Sequence, residues 1–321
     1  MSDSGPRSDV ASALSGVAAI ARDDVWAIGL QDAEPIIEHW DLWNPAGSGV
    51  SILLQDAEPI IEHWDGTRWR VVDVAVPPTS YLSAVAAIPA GDVWVVGEAT
   101  QHVVTMPLLE HWDGRDWATA AEVAGVKTSG ATSYFESVAA TSRGDVWAVG
   151  AGDLEPGTLI EHWDGRRWHL FPLPGAEPVA SVISVLALTP SDAWIAGEQS
   201  YHYNNSGDDS RALLAHWDGR SWRIVRTPDA WKSVRSLVAT SRHDIWGLLS
   251  SDTLSLLVHW DGRRWKQAAA TTPDSPASAL VAPAPGSVWV AGAALSVVGR
   301  WQMDVPEIDH YLCTPASHPG S

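Results

Sequence analysis

Cysteine is almost missing from this chain of 321 residues. Cys313 is the only one, so the chain can form neither an intrachain disulfide nor a metal site with several cysteine ligands. It lies in a tail of Pro, Ser and Gly, which is not the setting of a reactive thiol. Long hydrophobic runs are missing as well, because no window approaches the 18 or so apolar residues that a membrane helix needs.

Positive charge is also in short supply. The chain has 20 Lys and Arg against 39 Asp and Glu, a formal net charge of −19. This balance opposes binding to a phosphate backbone or an anionic membrane, so we expect neither nucleic acid nor membrane as a partner. The first 20 residues lack the basic start and apolar run of a secretory signal. We therefore expect a soluble cytoplasmic protein, although a chain trimmed of its signal would look the same and would be secreted.

Local catalytic motifs are absent too. The sequence contains no GxSxG elbow, no HExxH pair, no phosphate-binding loop and no dinucleotide fingerprint. We expect no cofactor and no bound metal, and the sequence favours a protein that is not an enzyme.

Tryptophan, in contrast, is abundant and periodic. Of the 20 tryptophans, six occur in a context like DVWAVG and recur every 43 to 68 residues. Such self-similarity indicates a repeat architecture. The six are Trp26, Trp94, Trp147, Trp194, Trp246 and Trp289.

Each repeat of about 50 residues predicts four antiparallel strands, which we name A to D. Strands A and B are two apolar runs joined by a short turn, as in ESVAATSRGDVWAVG. Strands C and D come from segments such as LIEHWDGRRW, where Asp-Gly between β-forming residues is a strong hairpin signal. The tryptophans on either side of that turn, such as Trp163 and Trp168, are expected to pair across the two strands.

The repeats predict an all-β protein, a six-bladed β-propeller of four-stranded antiparallel blades. Strand A contains small residues, which suit the crowded innermost position of a radial array, and no stretch shows helical periodicity with caps. A β-solenoid is a weaker alternative, because it needs shorter and more uniform repeats. The predicted propeller covers residues 14–312, between an N-terminal segment, 1–13, and a C-terminal tail, 313–321. Trp301 is expected in strand C of the sixth repeat, and the outer strand there comes either from residues 305–312 or from the N-terminus.

The DVWAVG and EHWDGxxW motifs resemble those of bacterial tryptophan-rich β-propeller repeat proteins, which are similar in style to kelch-like and BNR-like propellers. The resemblance covers about residues 14–301 and implies the fold without a catalytic signature. The Trp-Asp-Gly turns in a six-bladed frame are also weakly similar to fungal fucose-binding lectins. That second similarity carries no sugar-binding residue across.

The dodecapeptide LQDAEPIIEHWD occurs twice, at residues 30–41 and 54–65. Removing 24 residues would leave an ordinary first repeat, so residues 30–65 contain a local tandem duplication. Only the second copy runs into an Asp-Gly turn, and we therefore predict that it forms strand C. The first copy is predicted to be extruded between strands B and C, where it is poorly ordered, forms an extra hairpin or exchanges with its twin.

Antiparallel pairing places the A–B and C–D turns at one end of every blade and the B–C and D–A loops at the other. The turns are nearly invariant, whereas the loops vary in length and composition, so we expect a binding site at the loop end. We name these the turn end and the variable end. The candidate ligand-binding residues are off-template polar and aromatic side chains: Glu98, His102, Tyr134, Glu198, Tyr201, His202, Tyr203, Trp231 and Arg235.

Several of these candidates have a structural alternative. Trp231 is either a platform on which a ring stacks or a hydrophobic plug between blades. The histidine before each strand-C tryptophan suggests a metal ring, but copies ~15 Å from the axis are too far apart to share an ion, so we expect packing histidines with a blade-to-blade hydrogen bond. NNSGDD in the loop after Tyr203 has oxygen ligands but lacks the calcium-loop spacing.

Three functions remain open from the sequence. Aromatic rings beside carboxylates and amides suit a neutral polar ligand, which favours a lectin-like, non-enzymatic propeller that binds a small molecule or a glycan. The same acidic end would also suit a protein-interaction scaffold. The third is an enzyme with residues gathered over the central channel, for which His102 with Glu98 and His202 with Glu198 are the acid–base pairs.

Overall fold

The structure of the protein is a computed structural model. It describes residues 11–39, 50–55, 58–101, 104–119, 132–152, 157–177, 179–200, 210–250, 255–270, 277–285, 287–298 and 301–312. All regular elements in these ranges are β-strands, which confirms the predicted all-β class, and they form six antiparallel sheets that match the six predicted blades. No helix in this part of the chain is long and apolar enough to cross a membrane.

The chain divides between Arg143 and Gly144 into two compact units. The first unit contains a sheet of order β1-β2-β4-β5 with β3 beside β2, a sheet of order β6-β7-β8-β9, and strand β10. Its strands are β1 (Ala11–Ala21), β2 (Asp24–His39), β3 (Val50–Gln55), β4 (Glu58–Trp64), β5 (Trp69–Val71), β6 (Ser80–Ala87), β7 (Val93–Gln101), β8 (Val104–Trp112), β9 (Trp117–Thr119) and β10 (Ser133–Ser142).

The second unit contains sheets of order β11-β12-β13, β14-β15-β16-β17, β18-β19-β20-β21 and β22-β23-β24. Its strands are β11 (Asp145–Gly152), β12 (Thr158–Trp163), β13 (Trp168–Leu170), β14 (Val179–Thr189), β15 (Asp192–Ser200), β16 (Arg211–Trp217), β17 (Trp222–Ile224), β18 (Ser233–Ser241), β19 (Asp244–Ser250), β20 (Ser255–Trp260), β21 (Trp265–Ala270), β22 (Ala277–Ala284), β23 (Ser287–Val298) and β24 (Trp301–Leu312).

The glycine that ends the DVWAVG motif is required by a close backbone approach. Strand A carries a β-bulge opposite this glycine, between Leu82 and Ala84 in β6 and at the corresponding place in β14. A Cβ on Gly97 would lie 1.9 Å from the carbonyl oxygen of Tyr81, and one on Gly197 would lie 2.0 Å from that of Ser181. In these two sheets only glycine fits beside the bulge, whereas the fifth repeat has Leu249 at the same position, opposite Val234.

The core of each unit is built by the strand-B tryptophan, which packs between the tryptophan pair of the next sheet. Trp26 lies 5.8 Å from Trp112 and 5.6 Å from Trp117, measured between ring centroids. In the second unit, Trp194 packs in the same way on the pair Trp260 and Trp265. The predicted pairing across the C–D turn is also present, with centroids 5.8 to 5.9 Å apart in four sheets.

The repeated histidines are packing residues, but their hydrogen bond runs within a sheet and not between blades. His162 Nε2 lies 2.7 Å from Asp145 Oδ1, and its ring centroid lies 4.3 Å from that of Trp147. The Asp that begins strand B therefore holds the ring against the core tryptophan two residues later. Among the described residues, no group of His, Cys, Asp and Glu could hold a metal ion.

The duplicated segment, residues 30–65, contributes to three strands of the first sheet, β2, β3 and β4. The second copy forms β4, whose residues Glu58–Trp64 pair with residues 25–31 of β2. The first copy continues β2 beyond residue 31, where residues 34–39 form a hairpin with β3. The Asp-Gly turn thus selects the second copy for strand C, and the first copy is in the extra hairpin.

The last sheet differs from the sequence expectation. Strand β24 pairs directly with β23 along its whole length and takes the place of strand C, not of the outer strand. His310 lies opposite Trp289, as His111 lies opposite Trp94, whereas Trp301 lies opposite Val298 beside the hairpin turn. The sequence signal for this register is the short match of Asp309-His310-Tyr311 to Glu-His-Trp, which no Asp-Gly turn follows in this repeat.

Candidate functional site

The A–B and C–D turns of a sheet lie against each other, as antiparallel pairing predicts. A Cβ on Gly262 of a C–D turn would meet the side chain of His243 in the A–B turn at 3.1 Å, and one on Gly219 would meet Ser191 at 2.9 Å. The B–C and D–A loops therefore emerge at the opposite end of each sheet. This contact fixes the turn end and the variable end within each sheet.

Cations are concentrated at the turn end. The A–B turns, the C–D turns and the first residues of strand D in the first five repeats contain 13 of the 20 Lys and Arg but only 12 of the 39 Asp and Glu. The rest of the chain is left with 7 cations against 27 carboxylates. The acidity of the protein therefore lies away from the turns.

The turn-end carboxylates are already engaged in the turns themselves. Asp164 Oδ2 lies 2.8 Å from His169 Nε2, while its Oδ1 accepts hydrogen bonds from the backbone N–H groups of Arg166 (2.8 Å) and Arg167 (2.9 Å). The His169 contact and these backbone bonds hold the pKa of Asp164 well below its usual range. The same turn recurs at Asp65, Asp113, Asp218 and Asp261.

At the variable end of the first unit, two carboxyl groups lie on contacting strands, β7 and β10. Glu98 lies near the end of β7, where the backbone pairs with Tyr81 on one side and Pro107 on the other. Glu136 lies near the start of β10, and burial raises its pKa, with a further increase from the negative charge of Glu98. Burial also raises the pKa of Glu98 itself. Tyr81 presents a side chain that is 45% exposed.

The two carboxyl positions have counterparts in the second unit. Glu198 stands four residues after Trp194, as Glu98 does after Trp94, and it is exposed. Arg235 occupies the place of Glu136, eleven residues before the strand-B tryptophan, and its Nε donates to Ser250 Oγ at 3.4 Å. The equivalent positions in the second unit thus have opposite charges, whereas those in the first unit are both acidic.

Glu136 is the residue that sequence reasoning missed. It lies within strand A, which the repeat assigns to the scaffold. The signal was nevertheless present, because the same position is small or apolar in four other repeats. Those residues are Ser15, Ser83, Ile183 and Ser278.

Of the predicted site residues, Trp231 is in the core. It is 5% exposed and belongs to a cluster with Trp194, Val234 and Leu249. Its backbone carbonyl accepts a hydrogen bond from Ala212 N at 2.9 Å, which fixes the segment before β18. Of the two alternatives for Trp231, the structure supports the hydrophobic plug, because the buried ring has no exposed face on which a ligand could stack.

The remaining predicted residues are divided. Tyr134 is half-buried next to Ser133 at the start of β10, so it shares the variable end with Glu136. His102, Tyr201, His202 and Tyr203 lie outside the described residues, and their part in a site stays a prediction.

No protein-family model and no curated protein matches the chain. Solved structures do. YCF48 from Cyanidioschyzon merolae matches with a TM-score of 0.54 at 10% identity, covering 89% of this chain and 81% of its own. A structure described as YCF48 bound to D1 peptide gives 0.53 at 13% identity, covering 92% and 83%.

The chain has the fold of a β-propeller. A Trypanosoma rangeli sialidase in complex with sialic acid also matches, with a TM-score of 0.51 at 12% identity over 94% of this chain and 54% of the sialidase chain. Identities of this size show the fold and transfer no functional residue.

Proposed function

We propose that this protein is a binding propeller that recognises a cationic segment of a protein partner at its variable end, through Glu98 and Glu136. The observation that carries the proposal is the placement of these two half-buried carboxyl groups on the contacting strands β7 and β10, where the pKa of each is raised. Two like charges at one place are unfavourable unless a cation joins them. An arginine or lysine side chain between the two carboxylates would remove that repulsion and lower the pKa of both groups.

The surroundings of the pair support the same class of partner. Most of the cations of the chain are at the turn end, so long-range attraction at the loops favours positive charge. The exposed ring of Tyr81, opposite Glu98 in the sheet, offers a face on which a guanidinium can stack. YCF48, which shares the fold, is described with a bound peptide, which supports a peptide as a ligand that a propeller can hold.

A glycan is the second candidate, favoured by the exposed Tyr81 and by Tyr134 at the same end. Sugar rings stack on tyrosine, and carboxylates accept hydrogen bonds from hydroxyl groups. The sialidase with bound sialic acid supports a sugar as a ligand of this fold. The core position of Trp231 removes the largest aromatic platform that this candidate needs. Catalysis by Glu98 with His102, or by Glu198 with His202, stays a prediction.

Titration calorimetry tests the proposal with an arginine-rich peptide in a Gly-Ser background, its glutamate counterpart and a panel of neutral oligosaccharides. We expect the arginine peptide to bind and the glutamate peptide not to bind. Glu136→Gln should weaken binding about 10- to 100-fold, since a hydrogen bond to a charged group contributes about 1.5–3 kcal/mol. Glu198→Gln is the matched control and should leave the affinity unchanged.

The alternatives give different results. Binding of an oligosaccharide, with no binding of the arginine peptide, would favour the glycan candidate. Equal affinity of the two peptides, or an arginine-peptide affinity that Glu136→Gln does not change, would refute the role of the carboxyl pair. Rising salt should weaken the predicted interaction.

A further inference from the structure

Two segments of identical sequence could fill the strand-C position of the first sheet. In the structure the second copy fills it as β4. Ile61 is 3% exposed there, His63 Nε2 lies 2.9 Å from Asp24 Oδ1, and the His63 ring stacks on Trp26 at 4.3 Å. The first copy has an identical residue at each position. Ile37 corresponds to Ile61, His39 to His63 and Trp40 to Trp64. Every side-chain contact of β4 could thus be reproduced by the first copy.

The backbone would also allow the first copy to enter this position. In the structure Gln31 pairs with Glu58, and in the exchanged register it would pair with Glu34. Two residues would then connect strands B and C. A two-residue connection already exists in the next sheet, where Gln101 pairs with Val104. The B–C connection of the exchanged state therefore needs no geometry that this fold lacks.

We propose that the two copies exchange in this position, and that the exchange regulates access to the variable end. With the second copy in place, residues 50–55 form part of the B–C connection, which lies at the variable end. With the first copy in place, they become part of the C–D connection and emerge at the turn end. The regulatory part of this inference rests on the proposed function, because it assumes that the variable end is where the partner binds.

Local turn chemistry makes the second copy the major occupant. Asp65 Oδ1 accepts hydrogen bonds from Thr67 N at 3.0 Å and from Arg68 N at 3.1 Å, and Gly66 adopts a φ of 85°. Leu42 follows Asp41 in the first copy, and a leucine adopts a positive φ only at a cost. Six residue pairs between β2 and β3 also favour the state in the structure. The loop lengths are nearly equal in the two states, so loop entropy barely distinguishes them.

The test asks whether one copy can replace the other when one is damaged. Thermal unfolding is measured on the full chain with Ile61→Asp, Ile37→Asp or both substitutions. Ile61→Asp should lower Tm by less than half as much as Ile160→Asp, because the first copy replaces the damaged strand. Ile160 is the matched control, since it holds the same place in β12, is fully buried and has no spare copy. Ile37→Asp should resemble the wild type, and the double variant should lose as much as Ile160→Asp.

Hydrogen exchange identifies the occupant directly. In Ile61→Asp the amides of residues 34–39 should gain protection beyond that of their hairpin with β3, and those of residues 58–64 should lose protection. If Ile61→Asp is as damaging as Ile160→Asp, or if the double variant is no worse than Ile61→Asp alone, the exchange does not occur. These measurements need no ligand, so they stand whether or not the arginine peptide binds.

The regulatory part is tested by peptide affinity. Ile61→Asp, which forces the first copy into place, should bind the arginine peptide more tightly than Ile37→Asp, which forces the second. Equal affinities in two variants that hydrogen exchange shows to differ in occupant would overturn the regulation and leave the exchange intact.

Discussion

Glu161 provides a quantitative test of how a buried carboxyl group affects the stability of the repeat. It lies in β12 with a side chain that is 0% exposed, and neither carboxyl oxygen has a hydrogen-bond partner within the described residues. Burial raises the pKa of Glu161 from 4.5 to about 8. The same position is Ala215 in β16 and Val258 in β20, so the fold does not require a carboxyl group there.

The sign of the pH effect follows from the direction of that shift. Between pH 4.5 and 8 the folded protein keeps the Glu161 proton, whereas the unfolded chain has lost it. Raising the pH therefore favours unfolding, and the stability contributed by the protonated state disappears as the pH passes about 8. At 1.36 kcal/mol for each pKa unit, the loss across this window is about 5 kcal/mol.

Glu161→Gln should remove this dependence, because an amide stays neutral at every pH in the window. Urea unfolding at pH 5, 7 and 9 measures the difference, with a small change at pH 5 and the variant clearly more stable at pH 9. Glu110→Gln is the control, since Glu110 is also buried but accepts a hydrogen bond from Thr119 Oγ1 at 2.9 Å and should gain less. If wild type and Glu161→Gln lose stability in parallel as the pH rises, the pKa of Glu161 is not raised by burial as the structure implies.

Three further substitutions test the scaffold by urea or thermal unfolding. Gly197→Ala should lower the free energy of unfolding by about 3 kcal/mol, because its Cβ would lie 2.0 Å from a backbone oxygen. Gly144→Ala is the control and should be nearly neutral, because its Cβ would have no contact under 3.6 Å. Similar losses for both variants would contradict the close approach at Gly197. Trp231→Ala should cost about 3–5 kcal/mol, and a stable variant would argue against the plug. His216→Ala should cost about 2–4 kcal/mol through loss of the Asp192 hydrogen bond and the Trp194 contact, and no change would show that the ring merely fills space.

The sequence predicted the fold well because the repeat supplies six readings of one pattern. Trp94, Trp147 and three of their counterparts are buried in the same setting, whereas Trp289 of the last sheet is 40% exposed, so a local motif was enough to predict the strands and their order in five sheets. The exception is the last sheet, where the Asp-Gly signal is missing and His310 marks the register instead.

The candidate site was less predictable, because it depends on contacts between repeats. Trp231 is distant in sequence from Ala212 and Trp194, and only the fold shows that it packs beside them. Glu136 looked like scaffold because strand A is scaffold in the other repeats. Its importance appears only when its place beside Glu98 is known.

The central claim is that a cationic segment binds at the variable end, and NMR titration of the labelled protein with the arginine-rich peptide tests it most directly. We predict that the amide signals of Tyr81, Glu98 and Glu136 shift together and saturate, while those of the Asp-Gly turns stay in place. Shifts confined to the turn end, or no saturable shift at these three residues, would contradict the proposed function.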